Sequence, residues 1–186
     1  MKLLRTIRLD PSDTFIFERA AESGEWAISG SFLFLDGDTD DLNTKQRHAL
    51  RSGFLGIGSL GFSTLATVSE ATAEDYAAAR EQLAQAFVAT FGAPGLDIGR
   101  EAAEEELQNA KSLCDHPVGT LVAVERTLRP DGGIAERFRT LRPRERDENQ
   151  DALHAFARAF TFHEVEDDSR PEDEVDLLTL NKDSSK

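Results

Sequence analysis

Between Ser52 and Phe91 the spacing of apolar residues changes period, and this change constrains the fold more than any other stretch. Phe62-Ser63-Thr64-Leu65-Ala66-Thr67-Val68 has the composition of a strand. Tyr76, Ala79, Leu83, Ala86, Phe87 and Phe91 then recur at three- and four-residue steps, which places them on one face of a helix over Ala73–Phe91. Thr72 is the expected N-cap, with Glu74 and Asp75 in the first turn where the helix dipole favours negative charge. Gly92-Ala93-Pro94-Gly95 stops the helix. Ahead of the strand stands a turn punctuated by Gly53, Gly56, Gly58 and Gly61.

The same reading applied to the rest of the chain gives more strands than helices. Lys2–Leu9 alternates as a half-buried strand with a basic polar face. Thr14–Ala21 and Trp26–Leu35 are rich in Phe, Ile and Trp, and Glu22-Ser23-Gly24-Glu25 between them predicts a β-hairpin. A short helix capped by Asn43 or Thr44 runs to Arg51, and a second long helix follows Asp97 from Ile98 to Leu113. Val118–Leu128 is apolar on both sides, as a central strand is, and Arg129-Pro130-Asp131-Gly132-Gly133 turns it back into Ile134–Leu141. Leu153, Phe156 and Phe160 favour a further helix from about Asn149.

Strands in runs separated by a helical pair predict an α+β fold: a mainly antiparallel sheet with two or three helices packed on one face. The chain of 186 residues is long enough for one sizeable core, expected over residues 1–163. From Glu164 onward nine acidic residues stand against three basic ones, a composition expected for a flexible acidic tail over 164–186. Within it Val175-Asp176-Leu177-Leu178-Thr179-Leu180 is an apolar patch able to dock on its own domain or a partner. The formal net charge of −14 repels phosphate backbones and anionic lipid, so neither nucleic acid nor membrane is expected as a partner. The N-terminus lacks the apolar segment of a secretory signal, and no run is long and apolar enough to span a bilayer, so a cytoplasmic setting is expected.

Several motifs bear on chemistry. Gly56-Ile57-Gly58-Ser59-Leu60-Gly61 matches the G-x-G-x-x-G string, but a dinucleotide loop lies between a strand and a helix, and here helix precedes and strand follows. A tight turn is the better reading. Asp36, Asp38 and Asp40 have calcium-loop spacing, although Asp41 and Arg47 stand where that loop needs Gly and Glu. Cys114, Asp115 and His116 adjoin, making Cys114 a candidate nucleophile if a neighbouring cation lowers its pKa; a buried structural cysteine is the ordinary alternative. His48, His154 and His163 form no metal-binding pair, and neither a metal nor a cofactor is expected. Seven arginines and three acids between Arg126 and Arg146 leave a local charge of +4. Arg137 and Arg139 share a strand face, and Arg126 is expected across from them, forming an anion- or partner-binding surface.

Three segments, Met1-Lys2-Leu3-Leu4-Arg5-Thr6-Ile7-Arg8-Leu9-Asp10, Arg51-Ser52-Gly53-Phe54-Leu55-Gly56 and Ser112-Leu113-Cys114-Asp115-His116-Pro117-Val118-Gly119-Thr120-Leu121, resemble an uncharacterised family of small bacterial proteins known only as a domain of unknown function. The resemblance spans about residues 1–142 and implies a compact cytoplasmic bacterial protein without assigning an activity. The leading expectation is a non-enzymatic accessory or protein-interaction protein, with a protein partner or homo-oligomer. The alternative is an anionic-ligand-binding protein or enzyme with a pocket near Cys114, His116 and the Arg126–Arg142 hairpin.

Overall fold

The N-terminal alternation becomes strand β1 (Lys2–Ile7) in the computed structural model, which describes residues 1–35, 41–129, 133–143 and 163–166. β1 buries Leu3, Leu4 and Thr6 and is flanked on both sides, by β2 (Trp26–Ile28) and β5 (Leu65–Glu70). Beyond β2 lie β3 (Phe54–Gly56) and β4 (Phe62–Ser63); beyond β5 lie β6 (Leu121–Leu128), β7 (Ile134–Pro143) and β8 (His163–Glu166). The sheet order is β4-β3-β2-β1-β5-β6-β7-β8, and every neighbouring pair is antiparallel. With the helices packed against it, the fold is α+β.

Helix α1 (Asp13–Ile16) is a single turn, α2 (Thr44–Ser52) is short, and α3 (Ala73–Ala89) and α4 (Leu96–Ser112) are long. Capping boxes fix the starts of α2, through Asn43 and Gln46, and of α3, through Thr72 and Asp75. A cap contributes about 1 kcal/mol. Full burial of one leucine contributes about 2 kcal/mol, so the core, which takes in Leu83 and Leu107, outweighs the caps in holding the helix pair. Ala79, Leu83 and Phe87 of α3 meet Ala103, Leu107 and Ala110 of α4 over Ile28, Leu55 and Ile57. A second cluster, with Leu4, Ala27, Phe54, Val68, Val122 and Val124, also takes in Cys114. A third joins Phe17 and Phe34 to Ala49 and Leu50 of α2.

The first expected hairpin does not form. Thr14–Ala21 is not a strand, because the buried Asp13 pins the chain instead: its carboxylate accepts from Thr64 Oγ1 at 2.6 Å and Ser63 Oγ at 3.2 Å. Phe17 is thereby driven into the core while Phe15 is left 73% exposed, so alternation is lost. The expected strand Trp26–Leu35 stops at Ile28, since Gly30 adopts φ +74° and a one-turn 3-10 helix covers Ser31–Phe34. A β-carbon on Gly30 would lie 2.7 Å from Leu55 Cβ. The glycine-rich turn contains a strand, β3, which the sequence reading did not separate from its surroundings. β8 straddles the expected boundary at 163/164 and adds the first residues of the tail to the sheet. Asp36, Asp38 and Asp40, the helix expected from Asn149 and the patch Val175–Leu180 lie outside the described residues.

Candidate functional site

The β6–β7 hairpin outgrows the sheet that supports it. β5 pairs only with Leu121–Ala123 of β6, whereas β6 and β7 continue together to the pair Leu128 and Ile134. The projecting part is tied to the body by Arg126, which is 3% exposed. Its Nη1 donates to the carbonyls of Leu50 at 3.1 Å and Gly53 at 2.9 Å, and more loosely to Ala49 at 3.3 Å, all at the C-terminal end of α2. A helix C-terminus carries partial negative charge and unsatisfied carbonyls, so a guanidinium there caps and neutralises at once. Nη2 donates to the Ser29 carbonyl at 2.6 Å, and Nε to Glu136 Oε1 at 2.7 Å. Ser29 Oγ also donates to Glu136, closing a ring between β6, β7 and the residue that follows β2.

A second carboxylate faces this ring from α4. Burial, reinforced by the charge on Glu136, pushes the pKa of Glu106 up to about 7 against the partial relief given by Arg126 and the Gly30 backbone. Burial also lowers the pKa of Arg126, which its hydrogen bond and charge interaction with Glu136 oppose. The cluster therefore sets two carboxylates against one guanidinium.

Arg126 does not join the expected arginine surface. It is paired with Glu136, whereas Arg137 is paired with Glu125 and Arg139 with Ala123. Side chains alternate between faces of a strand, so Arg126 points inward and Arg137 and Arg139 point outward. The basic surface of the hairpin thus rests on Arg137 and Arg139, with Glu125 beside them: Arg139 Nη2 lies 3.0 Å from Glu125 Oε2. Arg139 Nε is shielded from solvent and has no partner among the described residues.

Cys114 is buried under the sheet, in the cluster with Leu4, Val122 and Val124. It is 2% exposed, its thiol donates to the Ala110 carbonyl at 3.3 Å, and burial pushes its pKa up to about 11 despite the opposing charge of Lys2. Such a thiol stays protonated at neutral pH and is a poor nucleophile. Lys2 Nζ donates to the His116 carbonyl at 2.6 Å, fixing the segment through its backbone and not its imidazole. An open cavity of about 390 Å³ beside it is lined by Met1, Lys2, Lys111, Cys114 and Asp115 together with Gln108 and Ser112, and among the described residues neither Arg126, Arg137 nor Arg139 borders it.

The glycine-rich motif is an anion cradle filled by the chain's own carboxylate. Glu25 Oε2 accepts from the amides of Gly58 at 2.6 Å and Ser59 at 2.7 Å, and Oε1 from Ser59 Oγ at 2.5 Å and the Glu22 amide at 2.7 Å. A β-carbon on Gly56 would fall 2.5 Å from that carboxyl group, so a side chain there would push Glu25 out of its seat. Successive amides converging on one anion make a nest, and Glu25 occupies it in place of a phosphate.

Sequence reasoning missed Ser29, Glu106 and Glu136, whose positions carry no motif. Glu25 was missed too: the glycine string reads as a tight turn, which it forms, without the anion that the turn's amides cradle. Among the described residues no group of three or more His, Cys, Asp or Glu side chains is placed to hold a metal ion, and no helix is long and apolar enough to cross a membrane. No curated protein and no solved structure matches the chain. The model described as "Family of unknown function (DUF6505)" matches residues 1–159, and the chain belongs to that family.

Proposed function

We propose that the chain is a cytoplasmic, non-enzymatic accessory protein that binds an acidic face of a protein partner through the outward side of the β6–β7 hairpin. The observation that carries this reading is the division of labour among the hairpin's arginines: Arg126 is locked inside against α2, while Arg137 and Arg139 stand on the outer face of the same rigid ribbon. A projecting strand pair held by six hydrogen bonds from one buried guanidinium to backbone and side-chain oxygens keeps its outer face in fixed geometry. Preorganisation of that kind lowers the ordering cost of binding, and guanidinium groups recognise carboxylates in forked pairs.

The test is a titration of the full-length protein with a fluorescent glutamate-rich peptide at low and moderate salt. Binding is expected to weaken about tenfold when Arg137 and Arg139 are both changed to Ala, and to weaken with salt. Binding that ignores both changes, or its absence at low salt, removes the support for this surface.

A second reading places a small anionic ligand in the open cavity beside Cys114, because Lys2 and Lys111 border it. A thermal shift with small dicarboxylates, lost in Lys111→Ala, would favour it. In its nucleophile form this reading requires Cys114 to react with a disulfide reagent faster than an unfolded control between pH 6 and 8; the buried, high-pKa thiol is expected to react more slowly.

A further inference from the structure

We propose that the ring around Arg126 is a proton-operated latch: one proton held between Glu106 and Glu136 keeps the projecting half of the β6–β7 hairpin seated against α2 and α4, and loss of that proton unseats it. The latch concerns the seat of the hairpin and stands whether or not a partner binds the outer face. Its parts are brought together from distant parts of the chain. Arg126 reaches the carbonyls of Leu50, Gly53 and Ser29, and its Nε donates to Glu136 Oε1 at 2.7 Å. Ser29 Oγ donates to the same Glu136 oxygen. Beyond Ala123 β6 no longer pairs with β5, and Arg126 fastens this part of the hairpin to α2. Glu106 enters from α4. Ala103, Leu107 and Ala110 are buried residues of that helix, and Glu106, three residues after Ala103 and four before Ala110, lies on the same side of it. α4 packs on β1 and β2, and Gly30, the residue after Ser29, borders the carboxyl group.

The charge count makes the cluster responsive. Two carboxylates around one guanidinium leave one negative charge in excess, and like charges in a partly dry space raise each other's proton affinity unless a second cation is at hand. The neighbouring elements supply none. On α4 itself the other charge felt by Glu106 is Glu105, also negative. From α3, Arg80 is engaged with Glu104, and Arg100 of α4 with Glu81. From β1, Lys2 acts on Cys114, about two turns further on. Glu106 is the more shielded of the two acids, Glu136 keeping a quarter of its side chain exposed, so the proton settles on Glu106. Its pKa of about 7 puts loss of the proton in the neutral range. With Glu106 neutral, Arg126 and Glu136 form a closed pair. With Glu106 ionised, the excess charge is relieved by admitting water, and the movable wall is the hairpin, because α4 is held by α3 and the core. The seated state holds the proton more tightly than the open one, so the seat is firm below pH 7 and loosens above it.

The experiment is NMR on the full-length protein across neutral pH, following the Glu106 carboxyl carbon and amide hydrogen exchange corrected for its intrinsic pH dependence. A proton released with a pKa of about 7 makes unseating about tenfold more favourable at pH 8 than at pH 6. Protection of the amides in residues 126–128 and 134–136 is therefore expected to fall about tenfold over that interval relative to β1, Lys2–Ile7, the internal reference. Glu106→Gln should hold hairpin protection at its pH 6 level throughout, whereas Glu105→Gln, which removes the neighbouring acid, should leave the loss in place. The wild-type titration and exchange decide the matter even if Glu106→Gln fails to fold. A Glu106 carboxyl that titrates near the ordinary 4.5 overturns the proposal. So does titration near 7 with unchanged hairpin protection, which would mean that the Glu106 side chain turns to water by itself. A loss of protection shared equally by β1 also overturns it, since that is unfolding of the whole domain. Because the exchange readout involves no ligand, the latch and the interaction reading fail separately.

Discussion

Arg126 is the residue on which the hairpin's position depends most. Its guanidinium is fully buried while its partner Glu136 keeps a quarter of its side chain exposed, so removing it chiefly leaves buried carbonyls without a donor, at a cost of about 1–3 kcal/mol. Arg126→Met is therefore expected to lower unfolding stability by that order in urea titrations, because Glu136 and the carbonyls of Leu50, Gly53 and Ser29 all lose their donor. Arg137→Ala, on the outer face, is expected to change stability far less. Glu106 should make the protein's stability sensitive to pH near neutrality. Its folded pKa is raised from the ordinary 4.5 to about 7, so the folded state holds the proton more tightly than the unfolded chain does. The stability gained from that proton is complete below pH 4.5 and is lost as pH rises through 7. Measured as the difference between wild type and Glu106→Gln, the loss should reach up to about 3 kcal/mol. A pH-independent difference between the two proteins would remove Glu106 from the account.

At the scale of elements, the helix pair shows how tertiary contact reverses an intrinsic preference. Gly99 lies inside α4, where replacement by alanine ordinarily gains about 1 kcal/mol. Here a β-carbon would sit 2.7 Å from the Ala84 carbonyl oxygen of α3, a backbone atom that can move only by shifting the helix. Gly99→Ala is expected to destabilise by about 1–3 kcal/mol in thermal or urea unfolding. An increase in stability would mean that the helices have room to separate. The two long helices were legible in sequence because their apolar residues recur over several turns, and Thr72 begins α3 as its position before Glu74 and Asp75 implied. The short strands were not. β2, β3 and β4 contain three, three and two residues, too few for alternation to be distinguished from a loop, and only pairing with neighbours defines them. Thr14–Ala21 was misread because aromatic content mimics a strand, whereas the burial of Asp13 against Ser63 and Thr64 fixes the chain there.

For the whole molecule, charge sets a general response to salt. A formal net charge of −14 makes the compact state repel itself, so raising ionic strength should raise the melting temperature by a few degrees at most, within about the 2–4 °C that 1 kcal/mol moves a domain of this size. A fall would point instead to dominance by local attractions such as Arg139 with Glu125 and Arg100 with Glu81. The sequence by itself determined the class of fold, the two long helices with the cap of α3, and the β6–β7 pair, because each rests on periodicity or on turn residues that are local in the chain. Which way an arginine faces is not local. Arg126, Arg137 and Arg139 have the same chemistry and similar surroundings in sequence, and a register of Arg126 with Glu136 sends the first inward and the others outward. The same holds for the glycine-rich string: its place between helix and strand indicated a tight turn, and only the approach of β2 to β3 brought Glu25 onto the amides of that turn. Pairing between segments distant in the chain decides such matters, since a strand turned by one residue exchanges its buried and exposed faces.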